Sequence, residues 1–221
     1  MTHSDPQFLT ALKNNNKITK RTFSFYINKL GYASFIDIGE PQTSNMKGGS
    51  SAMKYIPTNP DDYFWSAYNQ GIAFGNTVNK TNSFAYGVDD GDEYDEIVDG
   101  ATYSIFDSSM PFILISDRHF DSFLAKLFEQ VGGYDYNITD GVGVLSNGIL
   151  MTRCDYNFPT LHFMFNNMWI KLNKEDYYYD SSEAQDGSVC ILKFMQNSES
   201  FNIFGLPIFA GYYVTFDADE H

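Results

Sequence analysis

Short apolar runs rich in Phe, Tyr, Ile and Val, each cut off by a cluster of Gly, Asn or Asp, set the tightest limit on how this chain folds. Phe23 to Ile27, Leu161 to Phe165 and Tyr212 to Phe216 are of this kind. Aromatic and β-branched side chains in runs of that length suit a pleated, half-buried surface, and the glycine-rich and polar breaks supply turns. Helical periodicity is scarce. The pattern predicts an all-β fold with a few short helices. The chain has 221 residues, 43% of them hydrophobic, enough to bury a full core. With no long repeat, low-complexity tract or Pro-rich linker to divide it, one domain spanning 1–221 is the expectation.

Composition narrows the function classes. Fourteen basic residues are spread among 28 acidic ones, for a net charge of −14, and no basic stripe is present to follow a phosphate backbone, so nucleic acid is not an expected partner. No apolar stretch approaches the roughly 20 residues of a membrane span. The opening Met1-Thr2-His3-Ser4-Asp5-Pro6 lacks the basic and apolar regions of a signal peptide. Asn79-Lys80-Thr81 and Asn137-Ile138-Thr139 are glycosylation sequons, which makes Asn79 and Asn137 candidate acceptors and points to the secretory route, vacuolar, lysosomal or extracellular. Cys154 and Cys190 lie beside apolar strands and in no zinc-binding spacing; they read either as two buried thiols or as one disulfide.

Along the chain, Pro6 to Asn14 reads as a short helix with Phe8, Leu9 and Leu12 on one face. Thr22 to Asn28 and Ala33 to Gly39 read as strands, and Lys47 to Ser51 as a flexible turn. Tyr63 to Tyr68 and Gly71 to Gly75 look like consecutive strands of a meander. Ser116 to Gln130 is the strongest helix, with Phe120, Phe123, Leu124, Leu127 and Phe128 as its apolar stripe and Ser116 or Asp117 as its cap. Asp107 stands out at the end of the apolar run Ile105-Phe106, followed by the small-residue turn Ser108-Ser109. His119 and His162 pair with no nucleophile by motif and read as structural or exposed. The acidic run Asp89 to Glu96 misses the EF-hand spacing and reads as a solvated hairpin tip. Tyr177-Tyr178-Tyr179 reads equally as a contact surface or as core strand.

Taken in order, these segments resemble the C-terminal lobe of a pepsin-like aspartic peptidase over nearly the whole chain. Residues 1–28, with Ile18 to Ile27, are similar to the segment by which that family crosses from its first lobe to its second. Phe35-Ile36-Asp37-Ile38-Gly39-Glu40 resembles its apolar-Gly-Gly strand and turn, and Tyr63-Phe64-Trp65 with Gly71 to Gly75 its Tyr-Trp and following strand. Cys154 with Phe158-Pro159 and Leu161 to Phe165 is similar to the family's Cys, apolar-Pro and strand sequence. In that resemblance Cys190 is the disulfide partner of Cys154. Gly205, in Ile203-Phe204-Gly205-Leu206-Pro207, takes the place of the glycine that closes the family's ψ-shaped loop.

The resemblance puts Asp107 where the second catalytic aspartate belongs. That chemistry uses two carboxylates, one from each lobe, which share a proton because they cannot both ionise about 3 Å apart. It needs water and no cofactor, and this sequence supplies one such aspartate. The turn departs from the family's Asp-Thr/Ser-Gly-Ser/Thr. Ser108 keeps a hydroxyl; Ser109 replaces glycine and adds a Cβ; Met110 replaces the hydroxyl residue that bonds the carboxylate. These changes imply an impaired site, and a lobe that acts by binding another protein chain across its interlobe face, around Thr22 to Asn28 and Asp107 to Pro111. The competing expectation is the C-terminal half of an active endopeptidase whose first lobe lies on another chain, on an upstream segment, or on a second copy of this lobe. A structural or lectin-like module on the same scaffold is a third reading.

Overall fold

In a computed structural model, which describes residues 7–28, 34–46, 48–59, 62–76, 83–85, 102–132, 143–144, 148–180, 189–210 and 212–220, the apolar runs become strands of three sheets. The first strands are β1 (Thr22–Tyr26), β2 (Phe35–Ile38), β3 (Ser66–Phe74), β4 (Ser83–Ala85), β5 (Thr102–Phe106), β6 (Ile113–Ser116), β7 (Gly143–Val144) and β8 (Leu150–Arg153). They continue as β9 (Leu161–Phe165), β10 (Met168–Leu172), β11 (Tyr178–Asp180), β12 (Val189–Leu192), β13 (Phe194–Asn197), β14 (Asn202–Phe204) and β15 (Tyr213–Asp217). Among the described residues the α-helices are α1 (Gln7–Asn14), α2 (Asp117–Glu129), α3 (Lys174–Tyr177) and α4 (Leu206–Phe209). The architecture is an all-β lobe with short helices.

The central sheet runs β10-β9-β3-β5-β14-β6-β13, with β4 added against β3. Its middle determines where Asp107 stands. β5 and β6 are separated in sequence only by residues 107–112, yet they do not pair as a hairpin: β14, from far along the chain, lies between them. It runs parallel to β5, with Phe204 opposite Phe106, and antiparallel to β6, with Phe204 opposite Ile113. The segment 107–112 must therefore arch over the end of β14. Asn202, fully buried, fixes this insertion, accepting from Ser116 N at 2.9 Å through Oδ1 and donating to Ser104 Oγ at 3.4 Å through Nδ2. Its amide ties all three strands together, satisfying groups that would be costly to bury unpaired.

Aromatic packing holds the layers. Phe204 lies 5.0 Å from Phe163, 5.2 Å from Phe165 and 5.8 Å from Phe106, ring centre to ring centre, and is fully buried. Each such phenyl ring contributes roughly 1.5–3 kcal/mol by leaving water. α2 covers one side of the sheet with the stripe its periodicity predicts, and His119 is buried beside it. The second sheet, β11-β12-β8-β7, is joined internally by the Cys154–Cys190 disulfide, whose Cα atoms stand 5.0 Å apart across a sequence separation of 36.

The third sheet, β15-β1-β2, is antiparallel throughout. Its register puts Phe23, Phe25, Ile36, Ile38, Val214 and Phe216 on one face, since directly paired residues point the same way. At the centre and on the β15 side that face is core: Phe216 packs 5.0 Å from Trp65, and Phe25 5.1 Å from Phe209. On β2, the edge strand, the same face overhangs the core, leaving Ile36 70% and Ile38 45% exposed. The other face carries Ser24 Oγ 2.8 Å from Thr215 Oγ1 and Tyr213 Oη donating to Asp37 at 2.7 Å, beside an aromatic cluster in which the Phe35 ring lies 5.6 Å from Tyr26 and 6.1 Å from Tyr213.

Several local expectations change. Tyr63 to Gly75 is not two strands: Ser66 to Phe74 is one strand, whose register against β9 shifts between Asn69 and Gly71. The Asn69 side-chain amide donates to Gly71 O at 3.2 Å and Met164 O at 3.1 Å across this bulge, which lets the strand run on where the sequence suggests a break. On α1, Leu9 is buried but Phe8 is 61% exposed, so the stripe is narrower than drawn. Ser116 begins α2 without a hydroxyl cap, its place being fixed by the Asn202 contact instead. Gly49 to Ala52 is a 3-10 turn entered through Gly48 at φ +93°, a left-handed conformation that glycine adopts without strain. The tyrosine triplet resolves into core and surface: Tyr177 and Tyr178 are buried, whereas Tyr179 is 41% exposed.

Two ionisable groups each lower the lobe's stability in acid, over different ranges of pH. Asp219, just beyond β15, accepts from Lys13 Nζ at 2.8 Å, from Arg21 N at 2.9 Å and from Arg21 Nε at 2.8 Å, so α1 and the start of β1 are fastened to the segment after β15. Lys13 foremost, and Arg21 with it, hold this carboxyl well below the usual range. His162, almost fully buried on β9, faces Gly75 O at 3.1 Å; a carbonyl only accepts, so Nε2 carries the proton. Burial pushes its pKa down, against the opposing pull of the Gly75 carbonyl.

The signs follow by linkage. Because the His162 pKa is depressed on folding, the unfolded chain takes up its proton first, and stability falls as pH drops below about 6.5, until the folded-state pKa is passed. Asp219 acts in the same direction at lower pH: its contribution is complete above the ordinary carboxylate range and is lost progressively as pH falls through that range toward its own depressed pKa. Urea titrations are expected to show midpoints falling from about pH 7 to about pH 5, with a flatter slope in His162→Gln. An unchanged slope in that variant would remove His162 as the cause.

Candidate active site

The Asp107 turn is fastened to the sheet from both sides. As β5 ends, Phe106 N donates to Trp65 O at 2.8 Å and Asp107 N to Phe204 O at 3.0 Å. Met110 N then donates back to Asp107 O at 3.2 Å, closing a turn over residues 107–110, and Leu206 N donates to Met110 O at 2.7 Å. Gly205 lies under this arch: a Cβ built there would overlap Met110 O and Phe112 O. The ψ-like insertion of β14 thus sets the height and tilt of the loop carrying Asp107.

Within the turn, one carboxylate oxygen is held twice. Ser109 N donates to Asp107 Oδ1 at 2.9 Å and Ser109 Oγ donates to the same atom at 2.7 Å. Asp107 is half-buried and Ser109 exposed. The sequence reading, in which Met110 deprives the carboxylate of a hydroxyl, needs correction: a hydroxyl reaches it from position 109. Ser109 is exposed in this lobe, and a tight backbone approach falls at Gly205. An Asp followed two residues later by Ser is a spacing at which both donors can reach back, which was the available signal.

The remaining candidates are placed as follows. Ser108 is half-buried on the turn, and Met110 contributes its carbonyl to the arch. Cys154 and Cys190 are bonded to one another. Asn79, Asn137 and the acidic run Asp89 to Glu96 lie outside the described residues. Sequence reasoning missed the Lys13–Asp219–Arg21 cluster, since nothing local links residues 198 positions apart. Among the described residues no helix is long and apolar enough to cross a membrane.

An aspartate at the tip of a β-strand, set by a later strand inserted between that strand and the next, defines a pepsin-like aspartic peptidase lobe. The family model for eukaryotic aspartyl protease matches residues 1–221, and the chain belongs to that family. No curated protein matches it. Family and disulfide together fit a secretory or vacuolar location.

Proposed function

We propose that this chain is one lobe of a pepsin-like assembly, inactive as a peptidase by itself, and that it works by docking a second protein lobe against the Asp107 turn and the β15-β1-β2 sheet. The observation that carries the reading is the overhang of β2: Ile36 and Ile38 continue a core-facing apolar face but lie exposed on a strand that, among the described residues, pairs only with β1. An uncovered apolar edge invites pairing with another strand. Asp107 alone supplies one half of a carboxylate pair that needs two halves to share a proton. In this account 1–28 is the segment that crosses between lobes, and Asn79 and Asn137 carry glycans added on the secretory route; a mobility shift on glycosidase treatment checks the latter.

Native purification followed by a peptide-cleavage assay at acid pH tests the reading. The chain is expected to copurify with a second lobe, to lose that partner in Ile36→Lys, and to cleave nothing when isolated. Cleavage by the isolated chain that disappears in Asp107→Asn would overturn it.

A second reading, an active endopeptidase completed by an aspartate from another chain or another part of the native protein, is favoured by one specific observation. Ser109 holds the Asp107 carboxylate with two donors, an arrangement suited to a working group. In that case the copurified pair cleaves peptide at acid pH and Asp107→Asn abolishes the activity.

A further inference from the structure

We propose that Ser109 is the positioning residue for Asp107, supplying from the third place of the turn the hydroxyl that Met110 does not supply from the fourth. The inference rests on the reading of Asp107 as this lobe's contribution to a two-lobe peptidase site. The turn closed by Met110 N on Asp107 O folds residue 109 back toward the carboxylate. Both Ser109 donors then converge on Oδ1, while Oδ2 accepts no hydrogen bond among the described residues. The carboxylate cannot turn about its Cβ–Cγ bond without giving up two charge-assisted bonds at once, so Oδ1 is the anchored atom and Oδ2 the presented one. A proton-sharing partner needs one oxygen held and the other available.

Met110 serves the same end through its backbone. Its carbonyl accepts from Leu206 N at 2.7 Å above Gly205, so the fourth residue fastens the turn to β14 while the third fastens the carboxylate. The Asp-Ser-Ser-Met departure is thereby a displacement of the hydroxyl by one residue. Ser109 is exposed and water is at hand, so burial does not force its hydroxyl onto the carboxylate.

Carbodiimide-driven coupling of glycine ethyl ester to the full chain, read peptide by peptide by mass spectrometry, tests this without needing activity. The probe reacts faster with a carboxylate relieved of donors, so Ser109→Ala is expected to label Asp107 about three- to tenfold faster than the parent. Ser109→Thr is expected to restore the parent rate and Met110→Thr to leave it unchanged. Asp37 and Asp217 serve as references for an intact fold; should they change in Ser109→Ala, Ser109→Gly is read in its place. An unaltered Asp107 rate in the hydroxyl-deleted variant, or slower labelling in Met110→Thr, would overturn the proposal. Labelling depends on this chain alone, so it fails separately from the docking reading, which partner copurification decides.

Discussion

Gly205→Ala is expected to destabilise the lobe by roughly 3–5 kcal/mol, or to prevent folding outright, as measured by urea denaturation. The backbone conformation is not the reason. Gly205 has φ −92° and ψ −160°, which any residue can adopt. What forbids a side chain is space: the new Cβ would lie on the carbonyl oxygens of Met110 and Phe112, both backbone atoms of the segment linking β5 to β6. Neither can retreat freely, since Met110 O is held by Leu206 N at 2.7 Å and Ile113 begins a strand paired with Phe194 and Phe204. Relief would come from backing β14 out of its slot, losing the Asn202 contacts and the packing of Phe204. A loss below about 1 kcal/mol would mean that the arch yields easily and does not fix Asp107.

Replacing both Cys154 and Cys190 with alanine is expected to cost about 4 kcal/mol, the chain-entropy value for a loop of this length, with engineered and natural cases spread over about 2–5 kcal/mol. The bond spans a separation of 36 residues and lies where β8 pairs with β12, Thr152 standing opposite Cys190. Those strands remain hydrogen-bonded without it. The expected result is therefore a lower urea midpoint for the whole lobe with its sheet content retained, reproduced in the parent by reductant. A midpoint unmoved by reductant would show that strand pairing alone constrains this region. A loss of that size is a large share of the total stability of an ordinary domain.

Both effects bear on how the Asp107 turn could be used. The turn is exposed at its tip but fixed at its base by strands distant in sequence, which lets a loop present a group accurately. Covering the β2 overhang with a second lobe would bury Ile36 and Ile38 and bring that lobe to the side of the molecule that β1 shares with the core. Docking energy and site assembly would then be linked, as expected for a half-site that gains its function on association.

Much of the fold was legible in the residues because its signals are local. The aromatic runs became strands, Phe120 to Phe128 became the buried stripe of α2, and Cys154 and Cys190 pair as the family resemblance implies. Where local signals misled, a tertiary partner had taken over. The break expected between Tyr68 and Gly71 is bridged because the Asn69 amide reaches Met164 on β9, and Ser116 needs no hydroxyl cap because Asn202 holds its backbone.

By itself the sequence determined the class of fold, the family, the position of Asp107 at a strand end and the departure of its turn, since strand pattern and motif order are properties of neighbouring residues. Only the tertiary structure decided that the lost hydroxyl is replaced by Ser109, that Gly205 is required by space and not by φ, that Lys13 and Arg21 converge on Asp219, and that Ile36 and Ile38 overhang the core. Each depends on which distant segments β14 and β15 bring together, and hydrogen bonds and steric limits act over a few ångströms of space whatever the separation along the chain.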